Sequence, residues 1–104
     1  VFIAAAGMAA HLAGAVAAHS TRPVIGIPIE SGGMGGMDSL LSTAMMPPGV
    51  PVATVAVGKA GAKNSAILAV QILATSDSEL LQKLHDYKNN MREEVLKKDK
   101  ALNS

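Results

Sequence analysis

A single histidine, His11, stands in a stretch of very small side chains, AAAGMAAHLAG at residues 4–14. Histidine can transfer protons near neutral pH, and a backbone with so few side chains lets a ligand come close to its amide groups. A lone histidine on an alanine-rich helix is nevertheless more often a hydrogen-bonded packing residue than a catalyst. The stretch therefore predicts a close backbone approach, and its chemistry depends on the segments that lie beside it.

Two further glycine-rich segments could meet this stretch at one edge of a sheet: ESGGMGGMD at 30–38 and GKAGAKN at 58–64. Each of the three follows a short apolar run predicted to be a buried strand, at 1–6, 24–29 and 52–57. Ligands of open parallel sheets bind beyond the carboxyl ends of the strands. The sequence therefore predicts a ligand site at this edge, although close packing of helices on strands would need the same small residues.

Helices are predicted between and after the strands. The first covers 9–19, and the second is a short helix capped by Asp38 or Ser39 and ended by MPPGVP at 46–51. The third covers 65–74 and is predicted to be buried on several sides. The last runs from about 77 to 98. Ser76 and Glu79 predict a capping box for the last helix, and its tail is expected to fray after Lys100. Its apolar stripe is Leu80, Leu84, Tyr87, Met91 and Val95. The order predicts an α/β fold, a three-layer parallel sheet with right-handed crossovers, divided into residues 1–75 and 76–104.

Composition excludes several functional classes. The 104 residues suit one domain, and the absence of cysteine excludes disulfides and thiolate metal sites. A net charge of +1, with basic residues gathered only after Lys83 among acidic ones, gives no reason to expect nucleic acid. No histidines and carboxylates have metal-ligand spacing, so no metal is expected. His11 and His19 interrupt the apolar N-terminal run, which argues against a signal or membrane segment and favours a cytoplasmic protein.

Three segments together resemble one family: AAAGMAAHLAG, PVIGIPI, and MDSLLSTAMMPPGVPVATVAVGKAGAKNSAILAVQILA. It is the PurE family of purine biosynthesis, the N5-carboxyaminoimidazole ribonucleotide mutases, and the resemblance runs from residue 1 to about 74. The AAHL form resembles the mutase class rather than the animal-type carboxylase class. The family pattern at the first segment is similar to AGAGGAAHLPG. Ala5 and Met8 replace glycines there, Ala13 replaces proline, and Met45 stands where glutamine is usual.

The resemblance implies an enzyme that moves a carboxylate within N5-carboxyaminoimidazole ribonucleotide, from the exocyclic nitrogen to the ring carbon, giving 4-carboxy-5-aminoimidazole ribonucleotide. It implies no cofactor, metal or ATP, and a step in which carbon dioxide is held in a small pocket. That pocket would comprise Ala6, Gly7, Met8, Ala9, His11 and Leu12, with supporting loops that contain Ser31, Asp38, Ser39, Met46 and Pro47.

The resemblance also implies a flavodoxin-like, Rossmann-like sheet with two further βα units before residue 1. In the family those units carry a GSxSD-like motif for phosphate and ribose and a SAHR-like motif whose histidine moves protons. Neither motif occurs in residues 1–104. The chain is therefore expected to be a C-terminal portion that holds no catalytic residue and is inactive alone. The resemblance implies a homo-octamer, and the stripe of the last helix is consistent with packing on a neighbouring subunit.

Two alternatives stay open at this point. The chain could be a non-catalytic binding or oligomerisation module that uses its glycine loops for tight turns. It could also be a related aminoimidazole ribonucleotide carboxylase. Ligand-induced stabilisation would separate the module from the two enzymes.

Overall fold

The computed structural model describes residues 1–7, 11–31 and 34–103. The strands are β1 (Phe2–Gly7), β2 (Val24–Ile29) and β3 (Ala53–Thr54), and the helices are α1 (Leu12–Ala18), α2 (Met37–Ala44), α3 (Lys59–Ala74) and α4 (Ser78–Asn103). Their order confirms the predicted α/β fold. Within the described ranges, the helices are too short or too polar to cross a membrane.

The sheet has the order β1-β2-β3, and both strand pairs are parallel. The central strand β2 is the apolar run VIGIPI, and Ile25 in it is fully buried. A continuous apolar run of this kind suits a strand covered on both faces. The predicted bounds of β2 are confirmed.

The prediction that β1 is buried is wrong for most of its length. Phe2 and Ile3 are 44% and 47% exposed, because β1 lies at an edge of the sheet and has β2 as its neighbour. Ala4 is the buried residue of the strand, and it packs in a small core with Ala13 of α1 and Val24 of β2. β1 is therefore held to the fold mainly through its pairing with β2 and this core.

The third strand is shorter than the predicted 52–57, and Pro28 supplies the reason. The carbonyl oxygen of Gly26 accepts a hydrogen bond from the amide of Val55, and that of Pro28 accepts one from the amide of Gly58. In a parallel pair, the N–H and C=O of one residue face the same neighbour. Pro28 therefore faces β3 without an N–H to donate, and the ladder stops there.

Gly26 lets the helices approach the centre of the sheet closely. A Cβ at this position would collide with Cγ2 of Thr43 in α2 and lie 3.2 Å from Cβ of Ala13 in α1. The absent side chain thus brings α1 and α2 down onto β2. This close packing fixes both helices, and with them the loops at their starts.

Helix α3 begins at Lys59, six residues before the predicted start, so the predicted turn at 58–64 is wrong. Gly58 makes the turn into it with a φ of +81°, in the left-handed region that glycine tolerates. Its carbonyl then accepts the amide of Ala62. The expected burial of α3 on several sides is confirmed only in part. Ser65 and Ala74 are buried and residues 67–70 are half-buried, whereas Leu73 is 50% exposed.

The described residues divide into two compact units, 1–69 and 70–104. The predicted division after residue 75 concerns domains and stays a prediction. In the second unit, the predicted capping box of Ser76 is wrong. A carboxylate oxygen of Asp77 accepts hydrogen bonds from the amides of Glu79 and Leu80, at 3.0 and 3.1 Å. Asp77 therefore caps α4.

The apolar stripe of α4 is covered at its start and open towards its end. Leu80, Leu84 and Tyr87 are half-buried, whereas Met91 and Val95 are 42% and 65% exposed. The helix continues past the predicted fraying point to Asn103. Only the first part of the stripe is therefore used within the second unit.

Candidate ligand site at the carboxyl edge of the sheet

The carboxyl ends of the strands meet at the same edge. Gly7, the last residue of β1, lies opposite Ile29, the last residue of β2. The amide of Gly58, just after β3, donates a 2.9 Å hydrogen bond to the carbonyl of Pro28. The segments that follow the strands therefore start side by side, as the pattern predicts. That they bind a ligand stays a prediction.

Gly7 and Ser31 are in close contact at this edge. A Cβ on Gly7 would overlap Oγ of Ser31, approach its Cβ at 2.9 Å and lie 3.3 Å from the carbonyl oxygen of Ile29. Glycine is therefore required at position 7 by the approach of a neighbouring loop. Ser31 itself is exposed, so a hydroxyl and a bare backbone lie next to each other at the surface.

The start of α2 is attached to the ends of both neighbouring strands. The hydroxyl of Ser39, which is fully buried, donates a 2.7 Å hydrogen bond to the carbonyl of Ile29. Gly36 precedes the helix with a φ of +83°, and a Cβ there would lie 2.5 Å from a methyl carbon of Val57. The loop after β2 is thereby fixed between the ends of β2 and β3.

Asp38 does not cap α2, contrary to the prediction. The helix begins one residue earlier, at Met37, and Gly36 occupies the cap position. The half-buried Asp38 lies in the first turn, where the helix dipole favours a carboxylate. Its Oδ1 is shielded from solvent and has no hydrogen-bond partner among the residues that the structure describes. Ser39, the alternative cap, lies inside the helix and its hydroxyl donates to the carbonyl of Ile29 in β2; its place in a loop that supports the pocket stays a prediction.

The residues of the predicted pocket are only partly placed. Ala6 is half-buried and lies opposite Pro28. His11 is exposed at the cap position of α1, before rather than within the first turn, and its side chain makes no capping hydrogen bond. Leu12 is 51% exposed. Met8 and Ala9 lie outside the described residues.

Met46 and Pro47, the remaining supporting residues, lie beyond the end of α2. The sulfur of Met46 is 3.2 Å from where a Cβ on Gly14 of α1 would stand. Pro47 is exposed, and its carbonyl accepts the amide of Val50 at 3.1 Å in the turn before β3. The structure thus brings Met46 against α1 and places Pro47 in that turn.

The residues that sequence reasoning missed are Gly36 and Val57, which set the distance between two of the loops. A signal for Gly36 was present, since a glycine pair directly before a helix often provides a left-handed residue. No spacing rule could have paired Gly36 with Val57, because their contact depends on how α2 packs beside β3. A concavity of about 530 Å³ lies at the opposite edge of the sheet, around Arg22 and Val50.

The arrangement combines a residue without a side chain, Gly7, with an imidazole, a hydroxyl and a carboxylate, on His11, Ser31 and Asp38. It has the composition of a surface that admits a small polar ligand close to the backbone. Within the described ranges, His, Cys, Asp and Glu form no group of three that could hold a metal ion.

Comparison with known proteins gives consistent matches along most of the chain. A family model described as AIR carboxylase matches residues 1–94. The N5-carboxyaminoimidazole ribonucleotide mutase of Escherichia coli (strain K12) is 54% identical over 96 residues, which is 92% of this chain and 57% of that protein. The protein of the same name from Bacillus subtilis (strain 168) is 52% identical over 102 residues, 98% of this chain and 63% of that protein.

An archaeal protein of the same name, from Saccharolobus solfataricus, is 54% identical over 92% of this chain and 60% of its own length. The chain thus spans about three fifths of the length of these curated relatives. The resemblance inferred from the motifs is confirmed by both the family match and the relatives. The chain belongs to the AIR carboxylase family, which is the PurE family that its sequence motifs indicate.

Proposed function

We propose that this chain forms the carboxylate-handling part of an N5-carboxyaminoimidazole ribonucleotide mutase. The relatives that it matches at 52–54% identity carry that name. The observation that supports it best is the meeting of the loops at this edge, where Gly7 lies opposite Ile29 and the amide of Gly58 donates to the carbonyl of Pro28. A carboxylate or carbon dioxide is small enough to be held between such loops.

The proposed reaction conserves all atoms of the substrate. The bond between the exocyclic nitrogen and the carboxyl carbon breaks and releases carbon dioxide, and the nitrogen gains a proton. The ring carbon then attacks the carbon dioxide and loses its proton. In this scheme the chain provides the space for carbon dioxide between Gly7 and Leu12 and a nearby hydroxyl on Ser31, and His11 lies at the rim.

Turnover is expected to need residues that this sequence does not contain. The GSxSD-like and SAHR-like motifs implied by the resemblance are absent from residues 1–104. The test is a fusion of this chain behind the segment of the Bacillus subtilis mutase that this chain does not cover, assayed for conversion of N5-carboxyaminoimidazole ribonucleotide. The fusion should turn over and the chain alone should not. A folded but inactive fusion would contradict the proposal.

A direct carboxylase is the second candidate, because the matching family model is described as AIR carboxylase. The two enzymes differ in the substrate that they consume. A mutase converts N5-carboxyaminoimidazole ribonucleotide without added bicarbonate, whereas a carboxylase converts aminoimidazole ribonucleotide in proportion to carbon dioxide. The names of the relatives favour the mutase, and the fusion protein assayed with each substrate decides between them.

We also propose that the fused enzyme assembles as a homo-oligomer, an octamer by resemblance, and works in the cytoplasm. The exposed part of the α4 stripe supports assembly, since Met91 and Val95 are apolar side chains that stand exposed on the helix. Val95→Lys should lower the mass of the fusion in light scattering. Asn90→Lys, at an exposed polar position of the same helix, is the control and should leave the mass unchanged.

A further inference from the structure

The outward side of α2 is apolar along its whole length. Met37 and Leu41 lie four residues apart in the helix, and Met45 follows at its end. Met34 lies in the turn before the helix, where its carbonyl accepts the amide of Met37 at 3.2 Å. The exposed fractions of these four side chains lie between 51% and 76%. Since residues four apart share one side of a helix, the four form a continuous surface, called the α2 face below.

The polarity of α2 is the reverse of that of an ordinary surface helix. Such a helix turns its apolar side chains towards the core and its polar ones towards water. In α2 the buried residues are Ser39 and Thr43, and both are directed at β2, one through a hydrogen bond to Ile29 and the other against Gly26. The sheet therefore uses the polar side of the helix. An apolar surface left open in this way marks an interaction site.

The position of α2 in the fold separates its face from the outer edge of β1. Helix α1 packs on β1 and β2, whereas α2 packs on β2 and β3. A Cβ at Gly26 would meet Thr43 of α2 and Ala13 of α1, so both helices cover the same side of the sheet. Helix α1 thus lies between α2 and β1. Strands that extend the sheet beyond β1 lie on the far side of α1, away from the α2 face.

A second copy of the same face fits this surface in charge and in size. The one charged residue of α2 is Asp38, which is half-buried, so two copies of the face meet without repulsion. The open parts of the four apolar side chains amount to roughly 500 Å² per copy and roughly 1,000 Å² for a pair, which reaches the lower limit of a specific interface. Methionine side chains adapt their shape to a facing surface.

We propose that the α2 face packs against the α2 face of a second copy of this chain, with the two helices antiparallel around a two-fold axis. Leu41 then lies opposite Leu41 of the second copy, and Met37 lies opposite Met45. The rows of residues spaced by four interdigitate. Asp38 lies opposite Ala44, so the two carboxylates do not meet. The inference does not depend on the proposed mutase activity, and it uses a different helix from the α4 stripe.

Disulfide cross-linking tests the arrangement, because the sequence contains no cysteine. Oxidised Leu41→Cys should form a covalent dimer, since position 41 meets itself. Met37→Cys alone should not, but an equal mixture of Met37→Cys and Met45→Cys should link one chain of each kind. Asn64→Cys, at an exposed position of α3, is the control and should stay a single chain. Cross-linking of Met37→Cys with itself as efficient as that of Leu41→Cys would overturn the proposal.

Light scattering of the 104-residue chain at high micromolar concentration tests the same contact without oxidation. Leu41→Lys should lower the mass at least twofold, and Asn64→Lys should leave it unchanged. Circular dichroism checks that each variant is folded. A mass that falls in Val95→Lys but not in Leu41→Lys would place the contact on α4 and overturn the proposal. A monomeric wild-type chain without a cross-link at position 41 would also overturn it and leave the α2 face to a different protein.

Discussion

The hydroxyl of Ser39 lies 2.7 Å from the carbonyl oxygen of Ile29, to which it donates a hydrogen bond across the start of α2 and the end of β2. Ser39 is fully buried, and Ile29 ends the strand beside Gly7. The bond joins the helix to the strand end at the edge where the loops converge. It holds the loop 30–36 at both ends.

Ser39→Ala should destabilise the fold by about 1–3 kcal/mol, because the carbonyl of Ile29 loses a buried donor. The measurement is chemical denaturation followed by circular dichroism. Ser42→Ala is the matched control. Its hydroxyl donates to the carbonyl of Asp38 within the same helix, and that carbonyl lies in a helical position, so the change should be much smaller. Equal losses in both variants would contradict the role given to Ser39.

Gly7→Ala should lower the stability by about 1–3 kcal/mol, since the added methyl group collides with Ser31. In the active fusion it should also lower turnover, because it displaces Ser31, whose hydroxyl is proposed to lie near the carbon dioxide. The double variant Gly7→Ala with Ser31→Gly removes the collision and should recover most of the stability. Recovery of stability without recovery of turnover would show that the reaction itself requires Gly7 or the Ser31 hydroxyl, and the single variant Ser31→Gly tells the two apart.

Gly26→Ala should cost about 1–3 kcal/mol through overpacking between β2 and the two helices above it. The added Cβ meets Cγ2 of Thr43, so Thr43→Ser in the same chain should recover part of the loss. Thermal unfolding of the single and double variants measures the coupling. Additive effects of the two substitutions would show that the sheet and α2 are not in this contact.

Asp77→Ala should destabilise α4 by about 0.5–2 kcal/mol, because two amides at its start lose their acceptor. Ser76→Ala should have almost no effect, although the sequence pattern favours Ser76 as the cap. Helix content by circular dichroism during thermal unfolding compares the two. A larger loss of stability in Ser76→Ala than in Asp77→Ala would contradict this assignment and support the capping box that the sequence predicts.

The elements that could be predicted are those determined by local pattern. The strand β2 is a continuous apolar run between a proline turn and a polar loop, and its bounds follow from these residues alone. The end of β3 cannot be predicted in this way. It depends on the fact that Pro28 faces β3, which is set by the pairing register of β2 and β3. The start of α3 was missed because glycine, lysine and asparagine at 58–64 have the composition of a turn.

The site was predictable as a location but not as a set of contacts. Glycine-rich segments after three parallel strands identify the edge where they meet. The contacts of Gly7 with Ser31 and of Gly36 with Val57 join residues more than twenty positions apart. They depend on how closely α1 and α2 pack against the sheet at Gly26. The spacing of residues along the chain does not determine this distance.

Because Pro28 has no backbone N–H, the two strand pairs of the sheet are held by different numbers of hydrogen bonds. β1 and β2 share a register of six residue pairs, whereas β2 and β3 share two. Local opening requires less free energy where fewer backbone bonds and buried contacts must be broken. The segment 53–58 should therefore detach in a partial unfolding event while the β1–β2 pair remains formed. Because Val57 rests against Gly36, such an event would loosen the loop after β2 without melting the domain.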